Sequence, residues 1–270
     1  MAGAALAAAL LLVTWFLAFH VGIFRQADLK ILDGFAGLHR PRVDRVANFI
    51  AHLCDPRPYV YFAAAVVLVA LFRRRPGVAL TIALILFGAN VTTQVLKPLL
   101  ATPRPVLPGE ASIAAASWPS GHATAAMSLA LCCLLAAPVR LRPFVAALGA
   151  AFAVAVSYSF LTLGWHYPSD VFGGFLVATA WTLLGAAAVY TVRARRSTVT
   201  PVQAPSVRAA LGPPVATLLA AVLLTGVVVL ARPHAVVNYA QAHTAFVVGA
   251  AAIAAMGLML ATGVMLTLRR

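Results

Sequence analysis

The chain has 270 residues, 63% of them hydrophobic and 10% charged, with a mean hydropathy of +0.95. Charged residues make up about a quarter of a soluble domain, so this composition excludes one and points to a polytopic membrane protein. The formal charge of +14 gathers at the ends of apolar runs and forms no basic stripe interleaved with aromatics, which argues against a nucleic-acid partner.

A hydrocarbon core roughly 30 Å thick needs about 20 apolar residues per helix. In chain order the expected spans lie near 3–24, 58–72, 77–96, 121–139, 143–164, 170–192, 212–231 and 244–268, the second being short. The first carries no charged side chain and exceeds a signal-peptide core, so it is expected to be retained as a helix. Between the first two, the stretch 25–57 mixes charges with helical apolar spacing and is expected to form interfacial amphipathic helices. The segment RARRSTVTPVQAPSVRAALG is basic, then rich in Pro, Ser and Thr. These features predict an all-α, polytopic membrane helix bundle. It comprises a six-helix core over 1–192, a basic cytoplasmic linker over 193–211 and a C-terminal two-helix hairpin over 212–270. Three cysteines, Cys54, Cys132 and Cys133, offer neither a disulfide framework nor metal-ligand spacing.

Lysines and arginines in alternate loops set the orientation. With a cytoplasmic N-terminus, eleven cations fall inside and nine outside, and all six acids fall outside. The expected topology therefore has both termini cytoplasmic. Heavy use of alanine, and of arginine over lysine, suits a bacterial cytoplasmic membrane.

Three polar clusters interrupt the apolar chain, and this topology brings them to one outer face. Ionisable groups at membrane depth are costly and mark functional sites. In KPLLATPRP, Lys97 and Arg104 flank a segment that Pro98 and Pro103 should break, and a point charge plus a guanidinium fork suit phosphoryl oxygens. In WPSGH, Pro119 is expected in the first turn of a helix whose N–H groups at Ser120 and Gly121 can receive an anion, with His122 placed to hand over a proton. In GWHYPSD, His166 and Asp170 are four residues apart, and a carboxylate on Nδ1–H leaves Nε2 free as nucleophile or base. Snorkelling cations, a plain helix cap and a structural His–Asp pair are the competing structural readings of the three clusters.

The ordered set Lys-x₆-Arg-Pro, Pro-Ser-Gly-His and Ser-x₆-His-x₃-Asp resembles the type 2 phosphatidic acid phosphatase superfamily over about residues 25–190. Lys97, Arg104 and Pro105 match its first motif, and Pro119, Ser120, Gly121 and His122 its second. Ser159, His166 and Asp170 match its third, in which the family's arginine is replaced here by Phe160. The resemblance implies hydrolysis of a membrane lipid phosphate or pyrophosphate at the extracytoplasmic face, without metal or other cofactor. In that scheme His166 attacks phosphorus and becomes a phosphohistidine, Asp170 orients it, and His122 protonates the leaving oxygen. Lys97, Arg104, Ser120 and Gly121 hold the non-bridging oxygens. Phe160 keeps two alternatives open: an impaired lipid-phosphate binder or scaffold, and a phosphotransferase to a lipid hydroxyl. The implied partners are the bilayer and the lipid phosphate. His234 and His243, near the turn of the C-terminal hairpin, read as interfacial histidines.

Overall fold

The computed structural model describes residues 1–104, 113, 116–194 and 206–268. Pro105, Glu110, Arg195, Arg196, Arg269, Arg270 and most of the basic linker lie outside the described residues.

Among the described residues the chain is a bundle of α-helices with no strand. In order these are α1 (Ala2–His20), α2 (Gly22–Ala36), α3 (Pro41–His52), α4 (Pro56–Phe72), α5 (Pro76–Leu100), α6 (Gly121–Ala136), α7 (Arg142–Thr162), α8 (Pro168–Ala194), α9 (Val207–Ala231), α10 (Pro233–Ala242) and α11 (Thr244–Thr267). Six of them are long and apolar enough to cross a membrane: α1, α5, α7, α8, α9 and α11. The pair α3–α4, bent by 52°, can supply a seventh span.

α6 is the central helix although it is short. It packs against α5, α7 and α8, and nearly every residue from Ala123 to Ala136 is buried. Its 16 residues rise only about 24 Å. The first turn therefore stays within the bundle, beside the buried Trp118 and Ser120.

Two glycines on α8 let that turn approach closely. A Cβ at Gly174 would lie 2.7 Å from the Ser120 carbonyl oxygen and 2.9 Å from Thr124 N, and one at Gly173 would meet the Trp118 indole at 2.8 Å. Backbone atoms cannot swing aside as a flexible side chain can. Gly174→Ala is therefore expected to lower Tm in detergent by several degrees, in line with overpacking costs of about 1–3 kcal/mol. An unchanged Tm would mean that α6 and α8 can separate freely.

Several boundaries differ from expectation. The apolar run through Phe24 is split at Val21, which is extended (φ −113°, ψ 111°), so α2 starts at Gly22. α2 does not simply lie at an interface: Asp28, Leu32, Gly34 and Phe35 are buried, and the helix packs on α7, α8 and α11. α5 continues through Pro98 to Leu100, because a proline in the last turn removes only one hydrogen bond near an end that frays anyway. Pro119 precedes α6 instead of entering it. Its peptide bond with Trp118 is cis, and Ser120 is the N-cap, its Oγ accepting from Ala123 N at 3.3 Å.

The two long C-terminal helices pack mainly on the rest of the bundle and only weakly on each other: α11 against α7, α2 and α8, and α9 against α7. The close fit of α11 comes from Gly249 under Ile31 and Gly257 under Val154 and Phe175. Tyr158 Oη donates to Ala250 O at 2.6 Å, and Arg142 Nη1 to Leu268 O at 2.5 Å. His243 lies 3.7 Å from Asp33, on α10–α11 side contacts with α2 and apart from the polar clusters described next.

Candidate active site

α5 and α7 end, and α4, α6 and α8 begin, at the same end of the bundle. That alternation gathers Lys97, His122, His166 and Asp170, while Arg73, Arg74, Arg75, Arg140 and Arg142 stand at the opposite helix ends.

The turn Leu163–Tyr167 connects α7 to α8 through Gly164, whose positive φ of 69° suits a residue without a Cβ. It places His166 one helical turn before Asp170. His166 Nδ1 lies 3.1 Å from Asp170 Oδ2, which also accepts Tyr167 N–H at 3.0 Å. Because the carboxylate accepts from Nδ1–H, Nε2 carries the available lone pair. Asp170 is fully buried and His166 is 8% exposed, so the dyad is shielded with one edge accessible.

Arg104 approaches the same carboxylate from its other oxygen. Its Nη2 donates to Asp170 Oδ1 and to Ser117 Oγ, the latter at 2.8 Å. Its Nη1 donates to Ser169 Oγ at 2.9 Å and to Asp28 Oδ2 at 3.4 Å. The guanidinium carbon sits 3.9 Å from the Tyr167 ring centroid and 4.7 Å from that of Phe19. With its side chain only 5% exposed, Arg104 is built into the support of Asp170, where the sequence suggested a phosphate ligand. Asp28 completes this support, accepting Ser169 N–H at 3.0 Å and the Ser169 hydroxyl. Burial pushes the Asp28 carboxyl up to about 6, with Arg104 pulling it the other way.

The N-terminus of α6 also differs in detail. Ser120 N–H donates to Asp170 O at 3.0 Å, so it is spent on joining α6 to α8. The first-turn N–H groups left without a helical acceptor belong to Gly121 and His122. Lys97 Nζ lies 3.9 Å, and Gln94 Nε2 3.6 Å, from where a Cβ of Gly121 would be. The missing side chain thus leaves a small space bounded by a cation, an amide and two N–H groups, a setting for an anion.

His122 adjoins that space. Its ring centroid is 6.4 Å from that of His166 and 6.1 Å from that of Phe160. Phe160 is completely buried and meets the His166 ring edge to face at 5.1 Å. A phenyl ring therefore fills the floor under both imidazoles at the position matching the family's arginine.

The structure thus brings together Lys97, Gly121, His122, His166 and Asp170, keeps Ser120 as a cap, and turns Arg104 toward two carboxylates. Sequence reading missed Asp28 on α2 and Asp55 at the start of α4, whose Oδ1 lies 3.0 Å from His122 Nε2. The available signal was their rarity: the chain has six acids, and in an apolar chain each requires a partner.

Residues 78–197 match the PAP2 superfamily profile. That segment runs from α5 through α8 and holds all three polar clusters. No curated protein sequence matches the chain at a significant level. The fold is similar to the solved structure of a transmembrane PAP2-type phosphatidylglycerolphosphate phosphatase from Bacillus subtilis. The TM-score is 0.59 at 21% identity, covering 71% of this chain and 98% of that one. Taken with the motifs on α5 to α8, the profile match makes the segment 78–197 similar to the PAP2 superfamily.

Proposed function

We propose that the chain hydrolyses the phosphate or pyrophosphate of a membrane lipid through a phosphohistidine intermediate, at the extracytoplasmic face. The observation that carries this reading is the pairing of a carboxylate-held imidazole, His166, with a second imidazole, His122, beside a helix N-terminus. His166 Nε2 attacks phosphorus and the bond to the leaving oxygen breaks, with His122 supplying the proton. Water then attacks phosphorus, the N–P bond breaks, and His122 takes up the proton. Lys97 and the Gly121 and His122 N–H groups stabilise the equatorial oxygens as charge develops. Arg104 acts through Asp170, and Ser120 through the cap that aims the first turn of α6.

A lipid substrate fits the surroundings. On the flank of α4, α6 and α7 an apolar groove of about 450 Å³ is lined by Phe62, Leu129, Leu148 and Phe152 among others. Leu129 lies seven residues into α6 from His122, about 10 Å along the helix, a depth suited to hydrocarbon below a headgroup. The segregation of acids to the site end, and of arginine clusters to the other, supports the extracytoplasmic placement. The division into a 1–192 core and a 212–270 C-terminal part belongs to the same proposal, with α11 packed on the core.

A second reading, a lipid-phosphate binder with impaired turnover, is favoured by Phe160 and by the engagement of Arg104. Both remove a cation from the phosphate. The two readings separate in a panel of lipid phosphates and pyrophosphates incubated with purified protein and a chelator. Phosphate release by the wild type is the expected result, and binding without release would leave the binder. On the same panel Phe160→Arg should raise kcat about tenfold. A donor to a transferring phosphoryl group is worth about 10²–10³, and burying the guanidinium offsets part of that gain. A lower or unchanged rate would show that the phenyl ring does not occupy a phosphate-binding position.

A further inference from the structure

The second histidine has its own carboxylate. Asp55 is the N-cap residue of α4, a position where an aspartate ordinarily accepts from the backbone N–H groups of the first turn. Here its side chain makes no cap bond. It turns instead to His122, with Oδ1 3.0 Å from Nε2. On the other side, Oδ2 lies 3.9 Å from Nε2 of the exposed His52. His52 Nδ1 is 2.7 Å from Asn48 O. A carbonyl can only accept, so that nitrogen carries the hydrogen, and His52 flanks Asp55 without a hydrogen bond to it. Trp165 stands between the two histidines, with ring centroids 5.6 Å from His52 and 5.8 Å from His122. The imidazole of His122 is thus held by a carboxylate at one nitrogen and an indole against its ring.

We propose that Asp55 is the positioning residue for His122, accepting its Nε2–H so that Nδ1 is the nitrogen that exchanges a proton with the substrate. This rests on the reading of His122 as the group that protonates the leaving oxygen. The site then contains two His–Asp dyads of matched construction. Asp170 holds Nδ1 of His166 and frees Nε2 for phosphorus, while Asp55 holds Nε2 of His122 and frees Nδ1 for the leaving group. In the first step the His122 Nδ1 proton passes to the bridging oxygen as the P–O bond breaks and the His166 Nε2–P bond forms. In the second, water adds to phosphorus, the N–P bond breaks, and the water proton returns to Nδ1. Asp55 keeps its bond to Nε2–H throughout and ends each turnover in the charge state in which it began.

The dependence of rate on the leaving group isolates this role. An alkyl phosphate needs a proton on its departing alkoxide, whereas an aryl phosphate releasing an acidic phenol needs it far less. Asp55→Asn, nearly isosteric and at a side chain 35% exposed, should lower kcat on a long-chain alkyl phosphate about 10–100-fold, by analogy with the loss of a group that orients a metal-bound histidine. On 4-nitrophenyl phosphate the loss should be at least tenfold smaller. Asp55→Glu, which keeps the charge, should recover part of the alkyl rate. Equal losses on both substrates, or no recovery with glutamate, would overturn the assignment, because a general disturbance of the site affects both leaving groups alike. Should Asp55→Asn fail to fold, Asp55→Ala gives the same test at this partly exposed position, with the alkyl rate falling more than the aryl rate. Absence of phosphate release by the wild type from either substrate would instead remove the hydrolase reading itself.

Discussion

His166→Ala is expected to reduce phosphate release by about 10⁴-fold or more, with substrate binding retained. The basis is the division of labour at one imidazole. Nδ1 is committed to Asp170 at 3.1 Å, which leaves Nε2 free to act as the nucleophile of the proposed mechanism. His122 is held at its own Nε2 by Asp55 and packs beside Phe160, a placement that suits proton transfer. Loss of a nucleophile in a concerted constellation costs about as much as loss of the whole set. The residual rate is then carried by the positioned cation and N–H groups. Rapid quenching with labelled substrate adds a qualitative check, since an N–P bond survives alkali and is lost in acid. Wild-type protein should show such a label and His166→Ala none. A labelled variant would transfer the nucleophile to another residue.

Arg104→Leu is the second large effect, and it should register first in stability. The guanidinium is shared between two buried carboxylates, Asp170 and Asp28, and is stacked on Tyr167. Leucine would leave both acids without their cation. Removing one partner of a buried ion pair costs about 3–5 kcal/mol, which for a chain of this size is on the order of 10 °C in Tm. The loss should depend on pH in a defined direction. Burial already holds the Asp28 carboxyl up at about 6, above its ordinary value. A raised acid contributes stability that is full below its unfolded pKa and is lost as pH rises through its folded pKa. Without Arg104 to lower it, Asp28 rises further, so the penalty widens toward alkaline pH. The Tm difference from wild type should therefore be larger at pH 8 than at pH 5. A constant difference would show that Asp28 does not depend on Arg104, and a Tm equal to wild type would remove the two-carboxylate support altogether. Turnover should also fall, because a displaced Asp170 no longer orients His166.

These two residues also show where reading the chain reached and where it stopped. His166 and Asp170 lie four residues apart, and their pairing follows from local geometry on either side of a helix start. Arg104 is 66 residues from Asp170 and 76 from Asp28. Which side of the carboxylate it takes depends on how α1, α2 and α8 pack, and no periodicity encodes that. Pro119 and Ser120 show a smaller version of the same limit. The motif located the helix start within one turn. Only the contact between Ser120 N–H and Asp170 O moved the free donors to Gly121 and His122.

What the sequence determined by itself was the environment and the inventory. Long uncharged runs must be helices in a bilayer, because no other open structure satisfies the backbone there, and alternation of those runs carries the three polar clusters to one end. What only the tertiary structure decided was the pairing. Asp28 comes from a helix that reads as interfacial, and Asp55 from a bend between two helices. Both reach histidine or arginine partners across the bundle. Helical spacing fixes neighbours within a turn or two. Partners some seventy residues apart are chosen by interhelical packing, and there the cost of an unpaired buried charge selects the arrangement.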